Sequence, residues 1–190
     1  MKKQNLTFTI FIISLVLASM ACAISAGGPD YPEQIVPVSQ DEALNMQNII
    51  EQALISGAET GIITVQLTET QLTSFMAQRL AQQANPPFTD PQILLRNGQM
   101  LMYGKITRGW FTANMLITMN VTVDPVTGGP KIEIASADFG PFPAPEGINQ
   151  AMSALIEEAF TGSFGPVAVG FRLETITIAD GIMTLTGRIK

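Results

Sequence analysis

From Thr112 to Val123 the chain alternates with scarcely a break. Phe111, Ala113, Met115, Ile117, Met119, Val121 and Val123 fall on one face. Thr112, Asn114, Leu116, Thr118, Asn120 and Thr122 fall on the other, with Trp110 at its start. A period of two sustained over that length is an antiparallel strand with one apolar and one mostly uncharged polar side. Most strands run about 5–6 residues, so one this long belongs to a strongly curled sheet. A curled sheet with an apolar inside either fills that space with its own side chains or holds an apolar ligand. Function turns on which.

The neighbouring segments read the same way. Asn97-Gly98 lies between two apolar runs and is the preferred two-residue hairpin turn, which pairs Leu95 with Met100 and Ile93 with Met102. Asp180-Gly181 makes a second hairpin, with Ile176, Ile178, Met183, Leu185 and Ile189 on the inner face. Lys131 to Phe139 alternates more weakly, which places a bulge near Ala135. Arg172 and Glu174 share the parity of Ile176 and Ile178, where a rim salt bridge is the expected role and a headgroup contact the alternative.

Helices are announced by their starts. Ser39 with Glu42 reads as a capping box opening a helix to about Ser56, with Ala43, Met46 and Ile50 inward. Thr68 with Gln71 opens a second, whose Leu72, Phe75, Met76, Leu80 and Ala84 share a face before Pro86 and Pro87 stop it. Pro145 suits the first turn of a third, with Ile148, Met152, Leu155 and Ala159 as its stripe. The expected fold class is α+β: one curled antiparallel sheet of six or seven strands on two or three helices.

At the N-terminus, Lys2 and Lys3 precede an apolar run from Leu6 to Ala18 and then Ser19, Met20, Ala21 and Cys22. A basic end, a short apolar segment and small residues form a secretory signal. The run falls short of the ~20 residues a spanning helix needs. Cys22, the one cysteine, occupies the place of a lipid-modified residue, although Ser19 stands where such signals usually carry Leu; cleavage after Ala23 is the rival. The expected organisation is a signal over 1–21, a tether over 22–38 and a single domain over 39–190. The expected location is outside the cell membrane, lipid-anchored and facing the periplasm or the exterior.

Loss of Lys2 and Lys3 would leave 8 of the 10 basic residues against 16 acidic ones, a net charge of −8. That excludes nucleic acid as a natural partner. The chain has no histidine, so imidazole-based triads and metal sites are impossible. Gly128-Gly129 leads into a strand and cradles no phosphate. Glu157 and Glu158 are adjacent on a helix and point apart, as solvated residues do. No catalytic residue, metal or cofactor is expected. With 46% hydrophobic and 14% charged residues, the chain has apolar surface to spare. Its methionines gather on the expected inner faces: Met100, Met102, Met115, Met119 and Met183 on strands, Met46, Met76 and Met152 on helices. Methionine fills ordinary cores, and it is also over-used where a surface adapts to varied apolar partners.

Several of these elements together resemble the LmeA-like phospholipid-binding proteins and the small YpmS-type envelope proteins. They are a strand entering Thr68-Glu69-Thr70-Gln71-Leu72, the Asn97-Gly98 hairpin, Gly140 to Pro143 leading to Ile148-Asn149, and a closing apolar-Thr-Gly strand. The resemblance spans roughly 60 to 190 and consists of turn, cap and alternation signals. It implies a tubular lipid-binding (BPI-like) fold that encloses acyl chains, without catalysis. The expected ligand is a phospholipid or other acyl chain, lined by Met46, Leu72, Phe75, Met76, Met100, Met102, Phe111, Met115, Ile117, Met119, Met152, Leu155, Ile176, Met183 and Leu185. The alternative is an envelope interaction or assembly module with a fully packed core. No motif identifies a protein partner.

Overall fold

Asn97 and Gly98 both adopt positive φ, 53° and 77°, as do Asp180 and Gly181 at 51° and 77°. Two consecutive left-handed residues form the type I′ turn whose twist matches that of paired strands. A computed structural model of the chain describes residues 24–25, 27–143 and 171–189. In chain order the elements are β1 (Ile24–Ser25), α1 (Gln40–Thr60), β2 (Ile62–Thr68), α2 (Glu69–Ala81), β3 (Thr89–Arg96), β4 (Gln99–Arg108), β5 (Phe111–Val123), β6 (Pro130–Asp138), β7 (Phe171–Ala179) and β8 (Ile182–Ile189). Cys22, the third helix with Met152 and Leu155, and the Glu157-Glu158 pair lie outside the described residues.

The fold is α+β, but its described strands form two sheets and not one. The larger runs β3-β4-β5-β6 antiparallel, with β1 added parallel to β5; the smaller is β2-β8-β7. The expected register is present: Leu95 pairs with Met100, Ile93 with Met102, and β5 continues it with Met119 and Ile117. Thr118 pairs with Ser136 while Met119 pairs with Ile134, so Ala135 is the extra residue of a bulge.

Helix α2 explains why the large sheet ends where it does. The edge of β3 that faces away from β4 points its N–H groups at the helix. Ile93 N–H donates to Thr73 Oγ1 at 2.9 Å, and Leu95 N–H donates to Glu69 Oε1 at 2.6 Å. Residues four apart on a helix advance about 6 Å and residues two apart on a strand about 6.7 Å, so one helical row matches one strand edge. The next donor along would be at residue 91, which is proline. An edge occupied in this way accepts no further strand. The remaining three strands therefore form a separate sheet.

The helix starts differ from each other. Thr68 Oγ1 accepts from Gln71 N–H at 3.2 Å and Gln71 Oε1 accepts from Thr68 N–H at 3.0 Å, a complete capping box. The box expected at Ser39 does not form. Its side chain makes no cap, and its N–H donates instead to buried Ser74 Oγ at 3.0 Å. Tertiary contact with α2 replaces the local reciprocal bond. Helix α1 also runs one turn past Ser56 and ends at Gly61, whose φ of 75° suits the left-handed C-cap.

In β7 the register shifts between Leu173 and Thr175. This reverses the parity ahead of it: Leu173 is buried, while Arg172 and Glu174 are exposed and do not share the face of Ile178. Glu174 pairs with Arg188 at 2.9 Å, and Arg172 Nη2 donates to the Pro125 carbonyl at 3.1 Å.

The helix-to-edge seam generates a test. Thr73→Val keeps the side-chain shape and removes the hydroxyl, leaving the buried Ile93 N–H without a partner. Urea unfolding is expected to show a loss of about 1–3 kcal/mol. Thr70→Val, next to Glu69 but turned about 100° round the helix from the seam, should change stability by less than about 0.5 kcal/mol.

Candidate functional site

The inner faces of both sheets and the helices meet in one apolar core. Met46, Phe75, Met100, Met102, Met115, Ile117, Met119, Met183 and Leu185 are buried in it, and Leu72, Met76 and Ile176 pack against it from its margin. Met102, Met115 and Ile117 have 0% exposure, so no water-sized sphere touches them from any side, inside or out. At those positions the space is filled by neighbouring side chains. Phe111 departs from expectation. It has inward parity but lies at the end of β5, beyond the core, and is 47% exposed.

A different surface forms a concavity. Between the last turns of α2 and the start of β3 lies a cleft of about 540 Å³, open to solvent. Leu80 and Phe88 are its buried apolar lining, with Ala77, Ala81, Pro86 and Pro91 around them. Ile35 and Val38 close one side. The helical row that seals β3 explains its position. Glu69 and Thr73 reach the strand, and Ala77, the next member, is too short to do so and lines the cleft. At the same level β3 itself bends away: its register slips between Thr89 and Gln92, and Asp90 takes a φ of 50°.

Phe88 is held by an absence. A Cβ on Gly104 would come within 2.6 Å of the Phe88 ring, so the ring occupies room that only glycine leaves free in β4.

The outer wall is the segment from 27 to 38, whose composition reads as a tether. It is laid across the large sheet from β5 to β3. Asn114 N–H donates to Gly27 O at 3.0 Å, and Asn114 Nδ2 donates to Pro29 O at 3.1 Å. Tyr31 meets Tyr103 edge-on, with ring centroids 6.1 Å apart. Val36 N–H donates to Gln92 Oε1 at 2.6 Å, and Gln92 Nε2 donates back to Val36 O at 3.3 Å. The buried Gln92 amide thus stands in for a strand partner.

The mouth of the cleft is polar. Lys105 Nζ pairs with Asp90 Oδ2 at 2.8 Å and sits 5.4 Å over the Tyr31 ring. Tyr31 Oη donates to the Asp90 carbonyl. Burial, and then the Asp90 carboxylate, push the Tyr31 phenol up to about 12. Elsewhere, N–H groups of Val126 and Thr127 hold the Asp124 carboxyl below its usual range, which serves the β5–β6 turn. The cleft offers an apolar floor with one cation and one anion at its rim.

No protein-family model matches the chain, and no curated protein or solved structure matches it at significant similarity. Among the described residues, no helix is long and apolar enough to cross a membrane.

The Tyr31 environment gives a pH signature. The unfolded chain loses this proton near pH 10 and the folded chain near 12, so the phenol's contribution to stability is whole below pH 10 and is lost as pH rises towards 12. The urea midpoint of the native chain should therefore fall more steeply across that window than that of Tyr31→Phe. Parallel curves would place Tyr31 in solvent.

Proposed function

We propose that the protein is a non-enzymatic binder of an acyl-chain amphiphile of the phospholipid class, exported and held at the membrane through Cys22. The observation that carries this reading is the cleft at the α2–β3 seam. Its volume of about 540 Å³ lies within the range of about 300–1,000 Å³ typical of small-molecule sites. Its lining is apolar, and Ile35 and Val38 beside it stay 58% and 56% exposed, surface that a bound chain would cover. Each methylene taken from water would contribute about 0.8 kcal/mol. The Asp90–Lys105 pair at the mouth presents both signs of charge, which suits a zwitterionic headgroup. The resemblance to LmeA-like proteins and their tubular fold favours the same ligand class. This reading assigns the ligand to the cleft and leaves Met102, Met115 and Ile117 as packing.

A second reading has its own observation. Those three side chains are closed to any water-sized probe, as expected of an envelope interaction module with a filled core. The two readings part on ligand content.

Native mass spectrometry of the full chain purified from membranes should find co-purified phospholipid, and the emptied protein should take up a fluorescent acyl probe. Ala77→Phe, which fills the cleft, should weaken uptake about tenfold or more, equivalent to about 1.4 kcal/mol. Met115→Leu, a volume-conserving change in the core, should leave uptake unchanged. Protein free of lipid that takes up no probe would leave the interaction module standing.

A further inference from the structure

We infer that the β4–β5 turn, from Arg108 to Phe111, rests on the bilayer and places Trp110 and Phe111 among the lipid headgroups. The inference rests on the reading of Cys22 as the membrane attachment and is independent of the cleft.

Three observations meet at this turn. The first is exposure. Trp110 is 79% exposed and Phe111 47%, at the end of a strand whose Ala113, Met115, Ile117 and Met119 are almost wholly buried. Trp is the side chain best suited to the boundary between headgroups and hydrocarbon, because its ring is apolar and its N–H still finds a partner there.

The second is the path of the chain. β1 runs parallel to β5, with Ile24 opposite Phe111 and Ser25 opposite Thr112. A parallel partner followed backwards leads towards the turn. Cys22 precedes Ile24 by two residues, and two residues span at most about 7 Å. A membrane anchor on Cys22 therefore cannot stand off from this turn on a long spacer. The next residues, 27 to 38, are strapped to the sheet by Asn114, Tyr31 and Gln92 and supply no slack.

The third is charge. Between Thr107 and Asn114 the only charged residue is Arg108, so the turn itself presents no acidic side chain to a phosphate layer; Asp90, across the strands, is paired with Lys105. The other exposed apolar tip on β5, Val126, lies a full strand length away, about 40 Å for a 13-residue strand, and cannot share the contact.

The chain has one Trp, so its fluorescence reports on Trp110 alone. Full chain purified from membranes is reconstituted into phosphatidylcholine vesicles with or without brominated acyl chains, and vesicle association is checked by flotation. The expected result is flotation with Trp110 emission about twofold lower in the brominated vesicles, and a clear loss of that quenching in Phe111→Ser. Flotation with unquenched emission that stays open to an aqueous quencher would overturn the inference and leave the Cys22 tether intact, pointing to a protein partner for this turn. Failure to float would overturn the inference and the tether together. Acyl-probe uptake is read separately, so an empty cleft would not alter either result.

Discussion

The seam between α2 and β3 is the constraint on which the other features depend. A free strand edge is a row of donors and acceptors that must be paired, solvated or covered. Here Glu69 and Thr73 take the two N–H groups of Ile93 and Leu95, and Arg96 closes over Glu69 with its own ion pair. The match of a four-residue helical step to a two-residue strand step lets one row of side chains do this without distortion. Three consequences follow from it. The large sheet stops at β3, the core is covered by the helix pair on that side, and a gap opens where the row reaches Ala77.

Much of the fold was legible because its signals are local. Asn97-Gly98 and Asp180-Gly181 set both hairpins and their registers, since positive φ at two successive residues permits little else. The alternation of β5 marked Met115, Ile117 and Met119 as inward, and they are. Thr68 with Gln71 marked the start of α2. What was illegible depends on distant partners. Ser39 and Glu42 have the form of a capping box, yet the nearby Ser74 hydroxyl takes the Ser39 N–H first. The bulge before Thr175 reverses the parity of Arg172, and alternation alone carries no sign of it.

The site was harder to read than the fold, for the same reason. Segment 27–38 has the Gly and Pro content of a tether, and its docking relies on Asn114, Tyr103 and Gln92, 56 to 87 residues away. Glu69 and Thr73 look like solvated polar residues beside an apolar stripe. Pro86 and Pro87 read as a helix stop, yet α2 already ends at Ala81, and Pro86 lines the cleft with Phe88 and Pro91. The methionine count pointed to the interior, and Met46, Met100, Met102, Met115, Met119 and Met183 are buried there. A glycine at position 104 was the one available hint, because a glycine inside a strand often marks a close approach, here by the Phe88 ring.

On the proposed reading, two regions that the sequence alone left merged are separate: the core is packed at Met102, Met115 and Ile117, and the ligand is assigned to the cleft where α2 and β3 part. Photo-crosslinking with a diazirine-bearing fatty acid, followed by peptide mapping, tests that division most directly. The account predicts adducts on segments 31–38 and 77–92, displaced by unlabelled phospholipid. Adducts concentrated on Met102, Met115 and Ile117, or none that phospholipid displaces, would contradict it.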